Sequence, residues 1–126
     1  MNPISKNLQQ SKNYDIMNVM KKSILVTGVA GSGKSSVCKE LKRLGYEAYD
    51  IEDLSDIFKM VRKDTGADFT DYTNADIEKV KNANWICDIN KLKKLLQNQN
   101  ENTAFYCGVS SNIGEISQTF NRIILL

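Results

Sequence analysis

Gly28-Val29-Ala30-Gly31-Ser32-Gly33-Lys34-Ser35 is the stretch that decides the fold of this chain. It satisfies G-x-x-x-x-G-K-[ST] at every fixed position, and its flanks suit it. Ser23-Ile24-Leu25-Val26-Thr27 before it reads as a buried strand, and Ser36-Val37-Cys38-Lys39-Glu40-Leu41-Lys42-Arg43-Leu44 after it reads as a helix. The motif is informative only in that strand–loop–helix setting. Phosphates are polyanions that water holds tightly, so a site for them must replace that water with many donors. Glycines let the backbone turn back on itself and aim successive N–H groups inward. The following helix adds its unpaired amides and the positive end of its dipole. The phosphate-binding set is therefore Gly28, Val29, Ala30, Gly31, Ser32, Gly33, Lys34, Ser35 and Ser36, with the backbone of residues 29–36 as the main donor. Lys34 is expected to reach the β- and γ-phosphates of a nucleoside triphosphate and to offset charge that develops during transfer. Ser35 is expected to place its hydroxyl on Mg²⁺, and Ser36 is a weaker candidate donor to the α-phosphate.

Working outward, the bulk properties bound the rest. A chain of 126 residues allows one modest domain. Its net charge of +2 comes from lysines and acids mixed along the sequence, so there is no basic stripe and nucleic acid is not implied as a partner. No apolar run approaches a membrane span, and the N-terminus lacks the apolar core of a signal peptide. Cys38, Cys87 and Cys107 are odd in number, widely spaced and apolar in context, which suggests ordinary buried thiols in a reduced, cytoplasmic protein. With no histidine in the chain, histidine-based chemistry is excluded.

The polar residues 1–19, rich in Asn, Gln, Ser and Lys, read as a disordered extension, and residues 20–126 as the domain. Val37, Leu41 and Leu44 mark the buried face of the first helix, which Gly45 ends. Residues 46–49 form a second strand that finishes at Asp50. Leu54, Ile57, Phe58 and Val61 recur at helical spacing and predict a second helix, with Asp53 as its N-cap. Residues 64–76 mix acids, aromatics and a glycine without period, as functional or mobile segments do. Asp88 is placed to cap a helix carrying Ile89, Leu92, Leu95 and Leu96. Residues 103–107 make a third strand closed by Gly108. Asn112 and Glu115 form a capping box for a helix with Ile113, Ile116 and Phe120 inward, and residues 123–126 make a fourth strand. Strands alternating with helices predict an α/β fold with a parallel sheet covered on both faces, a three-layer P-loop domain. Ligands in such sheets bind beyond the carboxyl ends of the strands, where the loop, the acids after Tyr49 and Gly108 converge.

Asp50, Glu52 and Asp53 lie just past the second strand. An acid near a phosphate loop can serve Mg²⁺ and can orient or deprotonate an acceptor hydroxyl. Asp50, at the strand end, is the better candidate for both the catalytic and the metal role. Arg62 is a candidate for an acceptor anion, although a solvated surface position suits it better. Trp85 either stacks on a ligand or packs, and packing is favoured because buried aromatics dominate cores.

From the loop to residue 126 the chain resembles the P-loop kinases of small molecules and nucleotides. It is most similar to the adenylate-kinase and shikimate-kinase-like proteins, including bacterial nucleoside-kinase-like "AAA family ATPase" members. Ile24-Leu25-Val26-Thr27-Gly28 with Gly31-Ser32-Gly33-Lys34-Ser35 carries the first part of the likeness. Tyr49-Asp50-Ile51-Glu52 resembles the aromatic-x-Asp-x-Asp element of shikimate kinases, with Glu52 where the second Asp is usual. Cys107-Gly108 resembles the glycine step that lets substrate approach the backbone. The resemblance implies ATP and Mg²⁺ as cofactors and transfer of the γ-phosphoryl group to a small-molecule or nucleotide acceptor. It also implies Asp50, Glu52, Arg62 and Gly108 as acceptor-site residues, with residues 62–86 as the acceptor region. Kinases of this group continue into a lid and a further strand that contacts adenine, so the likeness leads one to expect an incomplete version, with lid and last strand missing and strand four an exposed apolar edge. The competing expectation is a nucleotide-binding module without turnover. A GTPase switch is disfavoured because no Asn/Thr-Lys-x-Asp element follows the loop, and length disfavours a large AAA+ motor.

Overall fold

The computed structural model describes residues 21–126 apart from residue 55; the extension expected over residues 1–19 lies outside the described residues. Four strands form a parallel sheet: β1 (Lys22–Thr27), β2 (Glu47–Asp50), β5 (Thr103–Cys107) and β6 (Arg122–Leu125), in the order β2-β5-β1-β6. The remaining strands, β3 (Phe58–Arg62) and β4 (Ala83–Cys87), pair antiparallel as a separate ribbon. The helices are α1 (Lys34–Arg43), α2 (Ile77–Lys81), α3 (Ile89–Gln97) and α4 (Ile113–Ser117).

Alternation along the parallel strands builds two cores. Val26, Phe105, Cys107 and Ala48 face α1, where they pack with Cys38, Val37 and Leu41. Their neighbours Leu25, Ala104, Tyr106 and Tyr49 face the other way, toward Leu92 of α3, Ile116 of α4 and the ribbon residues Phe58, Trp85 and Cys87. A period-2 pattern with both faces apolar is what a sheet covered on two sides requires, so the three-layer α/β expectation holds. Leu44 departs from its expected buried position: it is the C-cap of α1 and is exposed. Gly45 does end the helix, at φ 91°, its N–H donating to Lys42 O and that of Tyr46 to Leu41 O.

Three expectations are corrected. The helix over Leu54–Val61 does not form. A three-residue 3₁₀ turn (Ile51–Asp53) gives way to extended backbone at Leu54, then to a positive φ at Asp56, then to β3. Asp53 therefore caps no helix. Phe58 instead enters the main core and stacks on Trp85 across the ribbon, with ring centroids 5.5 Å apart. The capping box at Asn112 is also absent. Asn112 precedes α4, but its side chain makes no cap bond; its Oδ1 accepts from Cys87 N and Ser110 Oγ, and its Nδ2 donates to Cys87 O. Asp88 does cap α3, accepting from Lys91 N at 3.1 Å. Residues 64–76 hold no helix and no strand of either sheet; α2, capped by Asp76, and then β4 follow them. At the far edge of the parallel sheet, the apolar residues Ile123, Ile124 and Leu125 of β6 are exposed.

Candidate functional site

The loop between β1 and α1 is shaped by residues that an ordinary helix start would not use. Gly33 occupies the N-cap position at φ 96°, a left-handed backbone that costs a side-chain-bearing residue about 1–2 kcal/mol. It offers no side-chain cap, and the first turn of α1 holds no acid. The first turn instead carries the ammonium of Lys34. Most helices place a capping oxygen and negative charge at this end, so leaving the amides uncapped beside a cation suits an external anion. One amide of the set is used internally, since Ser32 N donates to Val29 O at 3.1 Å. The Lys34 ammonium folds onto the loop itself, donating to the carbonyls of Gly28 at 2.7 Å and Val29 at 3.0 Å.

The sheet register sets the acid beside the loop. Cys107 of β5 pairs with Val26 on one side and Asp50 on the other, so the ends of β1 and β2 flank the end of β5. From the first turn of α1, Ser35 Oγ donates to Asp50 Oδ2 at the end of β2, at 3.1 Å. Two residues on, Glu52 turns toward the loop. Its Oε1 accepts from Trp85 Nε1 at 2.8 Å and its Oε2 from Val109 N at 3.4 Å. A cleft of about 510 Å³ separates the loop and α1 residues Ala30, Gly31 and Gly33–Ser36 from Glu52 and Val109.

Gly108 serves this arrangement in a way the sequence did not suggest. A Cβ there would lie 2.7 Å from Ile51 Cγ1 and 3.2 Å from Glu52 Cγ, so its bare Cα face is filled by the protein and admits Glu52 to the cleft. Arg62 is not brought to the site. Its guanidinium forms two hydrogen bonds with Asp64 and lies 4.9 Å from the Phe69 ring centre, and it does not line the cleft. Trp85 packs, as favoured, but it also donates to Glu52, a contact across 33 positions that no sequence spacing reveals. Val109 was missed altogether; its position after the Gly108 step was the available signal.

Two of the thiols lie in the core against α1 and the third in the core on the other face of the sheet. Cys38 and Cys107 are buried in the core under α1, and burial, with the Cys38 thiol beside it, pushes Cys107 up to about 12. Cys87 is pushed up to about 11 by burial and by the nearby Asp88 carboxylate. Thiols held protonated, as Cys107 and Cys87 are, make poor nucleophiles and poor metal ligands.

A protein-family model described as "AAA domain" matches residues 24–115, from β1 into α4. The chain belongs to this AAA-domain family. No curated protein and no solved structure matches it. The AAA-domain match and the α/β architecture together identify a P-loop nucleotide-binding module, whose partner is a nucleoside triphosphate. Among the described residues of this AAA domain, no helix is long and apolar enough to cross a membrane.

Proposed function

We propose that the domain binds ATP with Mg²⁺ and transfers the γ-phosphoryl group to a small-molecule or nucleotide acceptor, within a unit spanning residues 20–126. The observation that carries this reading is the hydrogen bond between Ser35 and Asp50. It joins the loop hydroxyl to a carboxylate at the end of β2, which lies beyond β5 from β1, a link that pure phosphate binding does not need.

The residues present fit the metal. Among the described residues no group of three or more His, Cys, Asp or Glu could hold an ion by itself. Mg²⁺ does not ask for one: it takes one or two protein oxygens and completes its shell with water and phosphate. Ser35 Oγ and Asp50 Oδ2 would hold it. When bound, the ion neutralises charge on the phosphate oxygens. The chain's own groups do the rest. Backbone N–H groups of residues 29–36, Ser32 excepted, bind and orient the phosphates. Lys34 exchanges the Gly28 and Val29 carbonyls for phosphate oxygens, and Asp50 takes the proton of an acceptor hydroxyl. The free, buried cysteines fit a reduced, cytoplasmic setting.

Calorimetry with Mg-ATP and an ADP-release assay over a metabolite panel test the reading. Lys34→Ala is expected to weaken binding by at least about tenfold, a change of ~1.4 kcal/mol, while leaving the far-ultraviolet circular dichroism unchanged. Ser35→Ala is expected to lower the dependence on Mg²⁺ more than nucleotide contact itself. If Lys34→Ala binds Mg-ATP like the wild type, the assignment fails. Binding without ADP release for any acceptor reduces the domain to a binding module.

A further inference from the structure

Resting on the phosphoryl-transfer reading, we infer that the acceptor side of the cleft selects a neutral or cationic hydroxyl compound over an anionic one, with Glu52 as the selecting group and Trp85 as its positioning residue.

Glu52 faces the loop across the cleft, and three contacts fix it. The Trp85 ring N–H and the Val109 amide each donate to one carboxylate oxygen, and Cγ rests where Gly108 lacks a side chain. The Trp85 ring is itself clamped by stacking on Phe58, 23° from parallel. A carboxylate accepts hydrogen bonds and donates none, and each oxygen keeps a free lone pair here. The complementary group on an acceptor is therefore a hydroxyl or an ammonium. A phosphate or carboxylate in the same place would bring like charges together, which recognition sites avoid. Of the described residues lining the cleft, Lys34 is the one cation, and it lies on the loop side. Arg62, which the sequence offered for an acceptor anion, is spent on Asp64.

Trp85 is the chain's single tryptophan, so its emission reports directly on the group bonded to Glu52. The full chain, loaded with Mg²⁺ and a non-transferable ATP analogue, is titrated with matched pairs: glycerol against glycerol 3-phosphate, uridine against uridine monophosphate, and ethanolamine against glycolate. The uncharged or cationic member of at least one pair is expected to shift the emission at a concentration about tenfold below its anionic counterpart. Glu52→Gln, which keeps the shape, is expected to reduce that preference to under about threefold. Trp85→Phe keeps the stack on Phe58 but removes the donor. By calorimetry it is expected to weaken the preferred probe severalfold while Mg-ATP affinity stays within twofold, a split that mere loss of packing would not give. Equal or tighter binding of the anionic members overturns the inference. So does an unchanged preference in Glu52→Gln, or silence from every probe while the ATP analogue binds. If uncharged probes bind but ATP yields no ADP with any of them, the transfer reading fails and the selectivity of the cleft stands.

Discussion

Gly33 and Gly108 are both small for a reason, and the reasons differ. Gly33 holds a left-handed backbone that opens the amides of α1, and the repeating pattern of the loop announced it. Gly108 has no special φ; it is small because Ile51, fully buried, and Glu52 press against it. The sequence marked the position, but the crowding depends on residues more than fifty places earlier and was not legible. Gly108→Ala is accordingly expected to cost about 1–3 kcal/mol through overpacking, because Ile51 has no room to retreat. A lower urea midpoint with an unchanged slope would register this. An unchanged midpoint would mean that the turn relaxes freely and that Glu52 is not seated by the missing side chain. At the same scale, Ser35 and Asp50 meet because loop and strand ends are fixed by local pattern and by parallel topology. The Trp85–Glu52 bond joins two separate units of structure, so no local pattern encodes it.

The least legible element was β3. Leu54, Ile57, Phe58 and Val61 match a helical period, yet the run Phe58-Lys59-Met60-Val61-Arg62 also fits an edge-like strand, and short apolar runs do not separate the two. Two features tip the balance toward the strand. The chain takes a positive φ at Asp56, which interrupts a helix. Gly66, at φ 74°, closes a tight turn in which its N–H donates to Arg62 O, returning the chain so that Phe69 N reaches Met60 O. The ribbon then needs an anchor, and Asn112 provides it by bonding both the N–H and the C=O of Cys87 at the end of β4. This is why the expected helix cap is absent: the side chain has a better use. Asn112→Ala is expected to strip both buried groups of their partner and to destabilise the protein by about 1–3 kcal/mol for each group left unpaired. Hydrogen exchange at the Cys87 amide should accelerate well before that of Tyr106, which belongs to the parallel sheet. Equal acceleration at both would show that the ribbon and the sheet unfold together and that the anchor is not local.

Across the whole molecule, the two cores on opposite faces of the sheet were readable because alternate residues of β1, β2 and β5 are apolar on both sides. Their shared consequence is chemical. Two buried thiols and two tyrosines packed in the core are pushed toward their neutral forms. Cys87 rises to about 11, Cys107 to about 12 and Tyr49 to about 12, each chiefly through burial, with the Glu47 hydrogen bond assisting at Tyr49. Tyr106 rises as well, from burial and then the Glu47 charge. In the unfolded chain thiols lose their protons near 9.0 and phenols near 10.0. Below pH 9 both states keep these protons, and the stabilising difference is present in full. Above it the unfolded chain releases protons that the folded chain retains, so stability falls with pH, at up to about 1.4 kcal/mol per unit for each group, until the folded values near 11 and 12 are passed. The melting temperature should therefore be flat through pH 8 and fall steadily from pH 9. Cys107→Ala, which removes one of the retained protons, should make that fall shallower even though it lowers the plateau. A melting temperature that holds to pH 11, or an equally steep fall in Cys107→Ala, would mean that water reaches the thiols under α1 and that the core supporting the phosphate loop is looser than its packing implies.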